Sequence, residues 1–442
     1  HAVATGFVRV HSGADGALLH QFFGANPADQ YGFASSFLGD VDADGHDDYA
    51  ITAVFAQAAA FEAGLLEVRS GATGNLLYTR LGGGLGYWFG WSVAAAGDLD
   101  NDGFTDVITG ATADPSGGPN AGAAEVWSGP TGTPLLKFTG HGQDAFLGWS
   151  VDGLGDVDGD GFDDVAAGAP LDSTTQTEGG MVRVVSGATG LGVLDAYGTA
   201  VGGHFGTAIA GPGDVDGDGR ADLFVGAPDD GQGGLPYGAV WGISGRDGSV
   251  FDVVQSTTGL LTDLGDALAA VGDVDQDGVS DLLAGAPVDA GAAQTAGAAR
   301  LYSGACFNLW SYGSGSPGSG GRTPVIRSIG SLPRIGSGAF RLEIADALGG
   351  APCLLLIGAG SAAQATPWGS LLVDPNQPLV SIDIPLGGQA GVPGAGGVLL
   401  APPIPSDLGL VGATVHLQVL VGDAVSSGGI AHSAGLRLTV CR

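Results

Sequence analysis

Five stretches of the chain set aspartates at positions one, three, five and nine of a nine-residue loop, with glycine at position six. They are Asp40, Asp42, Asp44 and Asp48; Asp98, Asp100, Asp102 and Asp106; Asp156, Asp158, Asp160 and Asp164; Asp214, Asp216, Asp218 and Asp222; and Asp273, Asp275, Asp277 and Asp281. Side chains at alternating positions of a tight loop converge on one point, and carboxylate oxygens are hard donors. The spacing therefore suits one Ca2+ ion per loop. The backbone carbonyl at position seven, from His46, Phe104, Phe162, Arg220 and Val279, is the expected additional ligand. No Glu follows at position twelve, so the aspartate at nine must close the site. Four carboxylates in a flexible oxygen cage favour Ca2+ over the smaller, octahedral Mg2+. Five complete copies argue against mere Asp-rich turns. Because each loop carries a full protein ligand set, the ions are expected to pin hairpins rather than to hold a partner through the metal. Asp47 and Asp163, at position eight, are expected to face solvent.

The elements that must position these loops recur with them, at steps of 58, 58, 58 and 59 residues. Eight residues ahead of each first aspartate stands a glycine: Gly32, Gly90, Gly148, Gly206 and Gly265. A short apolar run follows each loop, as at 165–170, 223–228 and 282–287. A Ser-Gly pair then recurs at 12–13, 70–71, 128–129, 186–187, 244–245 and 303–304. Each period thus holds four short strand candidates separated by Gly, Asp and Pro, with no sustained helical pattern. Four antiparallel strands per repeat is what a propeller blade requires. The fold expected is all-β: a β-propeller of five full blades plus an N-terminal half-blade, followed by a C-terminal β-sandwich. Residues 1–27 carry only the last two strands of a blade, so the half-blade could close a ring, lie on an edge or be completed by another subunit.

Phe89-Gly90, Gly168-Ala169-Pro170 and the aspartate loop between such elements resemble the FG-GAP repeat, which is found in the integrin α-subunit head and in many secreted bacterial proteins. The resemblance covers roughly residues 1–310. Leu147-Gly148 and Leu264-Gly265 replace the aromatic, and the first copy has Ala50-Ile-Thr-Ala-Val where Gly-Ala-Pro would stand. It implies a calcium-binding propeller of a secreted bacterial protein, with the aspartate at position nine closing each site. The tail from Tyr312 is similar, more loosely, to β-domains appended to such propellers.

Charge divides the chain in the same place. The whole carries 46 acids against 14 bases, a net charge of −32, and residues 1–310 hold 40 of the acids with eight of the bases. Residues 311–442 hold six of each. The division expected is a propeller over 1–310, a Gly/Ser-rich linker over 311–321 and a β-sandwich over 322–442. Twenty of the propeller's acids occupy metal-ligand positions, so five bound Ca2+ would bring the charge to about −22.

Such an acidic chain lacks the basic patches that a nucleic-acid partner needs. No apolar stretch reaches the ~20 residues of a membrane helix. The chain opens on His1 rather than Met, which fits an exported product whose signal has been removed. Cys353 and Cys441, two of three cysteines, are the expected bridge. No G-x-S-x-G, H-E-x-x-H, C-x-x-C or P-loop is present, and no catalytic residues are assigned. Trp88, Trp91, Trp127, Trp149 and Trp241 could form sugar-stacking pockets, but Trp91 and Trp149 share one repeat position, which points to core packing. The function expected is non-enzymatic: an extracellular, calcium-stabilised propeller serving cell-surface adhesion or filamentous assembly, with a protein partner or self-association. The alternatives are a carbohydrate-binding, lectin-like propeller and an accessory module of a secreted hydrolase.

Overall fold

The computed structural model describes residues 5–231, 238–255, 262–274, 276, 278–289, 297–304, 310–312, 323–330, 340–348, 351–358, 361–366, 369–373, 379–386, 393–400, 414–423, 430–433 and 435–439. Two compact units are present. One comprises His1–Gly272 with Ser280–Tyr302, and the other Asp273–Val279 with Ser303–Arg442.

The first unit is a β-propeller built from consecutive antiparallel meanders. Strands β1 (Phe7–His11) and β2 (Leu18–Phe23) form a two-stranded sheet. The next four sheets each have four strands in chain order. They are β3 (Tyr31–Gly39) to β6 (Leu76–Leu81), β7 (Phe89–Gly97) to β10 (Pro134–Thr139), β11 (Ser150–Gly155) to β14 (Gly192–Tyr197), and β15 (Ala208–Gly213) to β18 (Val250–Gln255). Within them β4 is Asp48–Ala53, β5 Leu65–Arg69, β8 Asp106–Ala111, β9 Ala123–Trp127, β12 Asp164–Ala169, β13 Met181–Val185, β16 Asp222–Ala227 and β17 Ala239–Ile243. A three-stranded sheet follows, of β19 (Leu268–Ala270), β20 (Leu282–Ala286) and β21 (Ala298–Tyr302).

Successive sheets meet at their first strands, β3 beside β7, β7 beside β11, β11 beside β15 and β15 beside β19. The second strands are buried along their whole length, and the apolar cores lie between neighbouring sheets. Glycine sets this spacing. Gly148 sits at φ +88°, where a side chain is strained, and a Cβ on Gly110 would overlap the Gly148 carbonyl oxygen of the next sheet. The FG and GAP glycines are thus the two sides of one close backbone contact.

The expected blades differ from the structure at one point. Among the described residues the fifth sheet has three strands, and Trp310–Tyr312, which would begin its fourth, instead forms β22 and pairs with β32 (Gly435–Thr439). The sequence explains the break. Gly74, Gly132, Gly190 and Gly248 turn the preceding hairpins at positive φ, and Phe307 stands at that place in the fifth repeat. Ser311 and Tyr312, expected in the linker, are therefore strand; 313–321 lie outside the described residues.

The second unit is also β. A six-stranded sheet runs β22, β32, β30 (Thr414–Gly422), β25 (Pro352–Gly358) and β28 (Leu379–Pro385), with β31 (Ile430–His432) beside β30. A three-stranded sheet runs β23 (Val325–Gly330), β24 (Phe340–Leu348) and β29 (Pro393–Leu400), and β26 (Ser361–Thr366) pairs β27 (Gly369–Val373). Ile326, Ile344, Leu355, Leu417 and Val419 pack in one core drawn from both larger sheets. Cys353 lies in that core as a free thiol, its pKa pushed up to about 11 by burial, so the expected bridge is not formed. Its expected partner, Cys441, lies outside the described residues.

Candidate metal centres

Each aspartate loop joins the first two strands of a sheet, and its own carboxylates fold it. In the second loop Asp98 accepts the N–H of Asp102 at 3.0 Å on one oxygen and that of Gly103 at 2.9 Å on the other. Asp40, Asp156 and Asp214 do the same at position one, and the position-six N–H is a donor in all four loops. The position-five carboxylate accepts the N–H of position seven, as Asp44 does from His46, Asp102 from Phe104, Asp160 from Phe162 and Asp218 from Arg220. Its second oxygen takes a serine hydroxyl from the Ser-Gly turn in three loops, Ser70 to Asp44, Ser186 to Asp160 and Ser244 to Asp218.

The aspartate at position nine does more than the spacing suggests. Asp106 opens β8 fully buried, with one oxygen on the N–H of Leu99 at 2.8 Å and the other on the N–H of Gly129 at 3.0 Å. Asp48, Asp164 and Asp222 repeat the arrangement with Val41 and Gly71, Val157 and Gly187, and Val215 and Gly245. Each ties its loop to the hairpin 23 residues further on. Burial pushes the pKa of Asp106 and Asp222 up to about 7 and that of Asp164 to about 6, with the neighbouring loop carboxylates adding to the rise.

Ligand atoms converge in four loops. Those of Asp40, Asp42 and Asp48 lie within 4.8 Å of one another, as do those of Asp98, Asp100 and Asp106, of Asp156, Asp158 and Asp164, and of Asp214, Asp216 and Asp218. Oxygens on opposite sides of a Ca2+ ion stand about 4.6–5.2 Å apart, so these donor sets fit that ion in span and hardness. Three loops bring together positions one, three and nine; the fourth brings together one, three and five, with Asp222 held in its backbone ties. Desolvation and the adjacent carboxylates raise the pKa of Asp42, Asp100 and Asp216, the repulsion expected of acids without a counter-cation. In the fifth loop Asp273 accepts the N–H of Gly278 at 2.8 Å, and Asp281 is buried. Asp275 and Asp277 lie outside the described residues.

A second set of aspartates escaped the sequence reading although it keeps the same period. Asp114, Asp172, Asp230 and Asp289 are buried just past the second strands. Each is near a different neutralising group. Lys137, the single lysine, reaches Asp114 at 2.7 Å and Glu125 at 2.8 Å; Trp241 donates to Asp230 at 3.0 Å; Arg300 pairs with Asp289. Arg183, whose charge is felt by Asp172, is held by Asp195. Burial opposes the ionised form of Asp114, but the Lys137 ammonium prevails and keeps its pKa low.

The tryptophans pack. Trp91 lies 4.8 Å from Trp149, 5.1 Å from Phe33 and 5.9 Å from Trp88, while Trp127 and Trp241 set their edges against Phe89 and Phe205. Phe33 remains 40% exposed at the end of the cluster.

The FG-GAP repeat family matches residues 89–127, 147–185 and 205–243. Integrin α-V of Gallus gallus is 30% identical over 213 residues, 45% of this chain and 20% of that protein. Integrin α-5 of Xenopus laevis is 31% identical over 214 residues and human integrin α-IIb 33% over 217, again about a fifth of each. The chain therefore carries FG-GAP repeats of the integrin-α kind, and it spans about a fifth of the length of these relatives.

Proposed function

We propose, from the premise of an integrin-α-like FG-GAP propeller, that the chain is a non-enzymatic extracellular module in which Ca2+ stabilises the blades and a protein partner or a second copy is bound. It serves adhesion at a cell surface or the building of a structural assembly. The observation that carries the reading is the convergence of three carboxylates at the same place in four successive blades. In each loop the carbonyls of His46, Phe104, Phe162, Arg220 and Val279 complete the ligand set, Asp275 and Asp277 serve the fifth, and the ion supplies the positive charge that the aspartates need. The domain division proposed is a propeller over 1–310 and a sandwich over 322–442, the latter supported by the core shared between two sheets.

Self-association is favoured by the two-stranded first sheet, whose Phe7, Leu19 and Phe23 are each more than half exposed. Electron microscopy of purified chain with Ca2+ and with chelator tests it: ordered polymers that dissolve in chelator support assembly, and monodisperse particles in both buffers refute it. A carbohydrate-binding reading rests on the exposed end of the aromatic cluster at Phe33, and a glycan array with Phe33→Ala as control decides it.

A further inference from the structure

We propose that the cation loops of neighbouring blades are wired in series through Asp163 and Arg220, so that the affinity of one loop depends on the occupancy of the next. The proposal rests on the Ca2+ reading given above. Asp163, expected to face solvent, reaches instead into the preceding blade. Its Oδ2 accepts the N–H of Asp98, the first ligand of the second loop, at 2.9 Å, and a Cβ on Gly97 would overlap it. Asp163 is also the chain neighbour of Asp164, which closes the third loop. Occupying the third loop fixes Asp164 and so fixes the carboxylate that holds and further charges the second. The sign of this coupling is positive.

Arg220 makes the opposite link. Its N–H is bound to Asp218 at 2.9 Å inside the fourth loop, and the N–H of Ala221 donates to the Asp156 carbonyl of the third loop at 3.1 Å. The Arg220 guanidinium lies over Gly159, between Asp158 and Asp160, where any Cβ would overlap it. Its Nη1 is buried there with no hydrogen-bond partner. A guanidinium N–H left unpaired in a buried place is costly, and the carboxylates of the third loop are the charge that offsets it. A Ca2+ ion entering that loop meets a positive charge already in place. Ordering of the fourth loop fixes the backbone of Arg220 and with it that charge, so this coupling is negative. No other loop has a basic residue at position seven apart from His46 of the first, which has no preceding aspartate loop among the described residues.

Hydrogen–deuterium exchange on the chelator-stripped full chain, read peptide by peptide against free Ca2+, gives each loop its own midpoint. The third loop is expected to gain protection at higher Ca2+ than the second. Arg220→Gln lowers the midpoint of the third loop about fivefold or more, Arg220→Lys leaves it near wild type, and Asp163→Asn raises that of the second by a similar factor. The first loop stays unmoved in all three variants. Third-loop midpoints that agree within about twofold between wild type and Arg220→Gln, or shifts shared by every loop, overturn the coupling while leaving the Ca2+ reading intact. Loops indifferent to Ca2+ throughout overturn both.

Discussion

The two units solve the same problem, ordering short strands, with opposite materials. In the propeller the second strand of a sheet is entered through a buried aspartate, as at Asp48, Asp106, Asp164 and Asp222, whose oxygens carry backbone hydrogen bonds to two other segments. In the second unit Ile326, Ile344, Leu355, Leu417 and Val419 meet as an apolar core. Apolar contact is indifferent to ions, whereas a frame of buried carboxylates holds its shape only while its charge is answered. The lesson is that one chain can have one part whose stability is conditional on its medium and another whose stability is not.

Chelation should give the largest separation. Removing Ca2+ from a hundredfold excess over Kd costs about 2.7 kcal/mol per loop, so calorimetry should show the propeller transition falling steeply in chelator while the second unit melts unchanged. A single melting curve that ignores chelator would erase the contrast. Leu355→Ala should do the reverse, weakening the second unit by about 2–5 kcal/mol with and without Ca2+, as read by denaturant titration. Within the propeller, Asp106→Ala strips acceptors from the N–H groups of Leu99 and Gly129 and should cost about 2–3 kcal/mol even in chelator. Asp100→Asn should cost stability only when Ca2+ is present, which separates the tie from the ligand.

The smallest effect concerns Asp252 on β18, whose Oδ2 is buried without a partner and whose pKa burial pushes up to about 7. Its folded value lies above its unfolded value of 3.8, so the stability it allows is complete below pH 3.8 and is lost as pH rises through 7. Asp252→Asn should therefore gain about 1 kcal/mol at pH 8 and nothing at pH 4, measured by urea unfolding at the two pH values.

The loops and the repeat were legible because a cation dictates ligand spacing along the chain, and nothing else in the sequence imitates that period. The second role of Asp106 was hidden because its partners, Leu99 and Gly129, answer with backbone N–H groups that leave no mark on residue type. Asp114, Asp172, Asp230 and Asp289 keep the period, yet their counter-groups are a lysine, an arginine or an indole, so no pair pattern repeats. In the second unit alternation of apolar and polar residues located β24, β28 and β30. It could not place β25 between β28 and β30, because no short turn fixes that neighbour order. The fifth sheet was overcounted for want of weight given to Phe307 at a turn that needs glycine.

The contact between Gly110 and the Gly148 carbonyl has a consequence for how such a chain can grow. Because the joint between sheets is backbone against backbone, its geometry does not depend on which larger side chains fill the cores on either side. A unit of 58 residues copied within the gene would arrive with both halves of the joint already in it. Lengthening by whole repeats thus needs no new interface to be invented, while an insertion of any other length would leave one glycine facing a side chain. The coarse size of the array is free to drift, and its pitch is not.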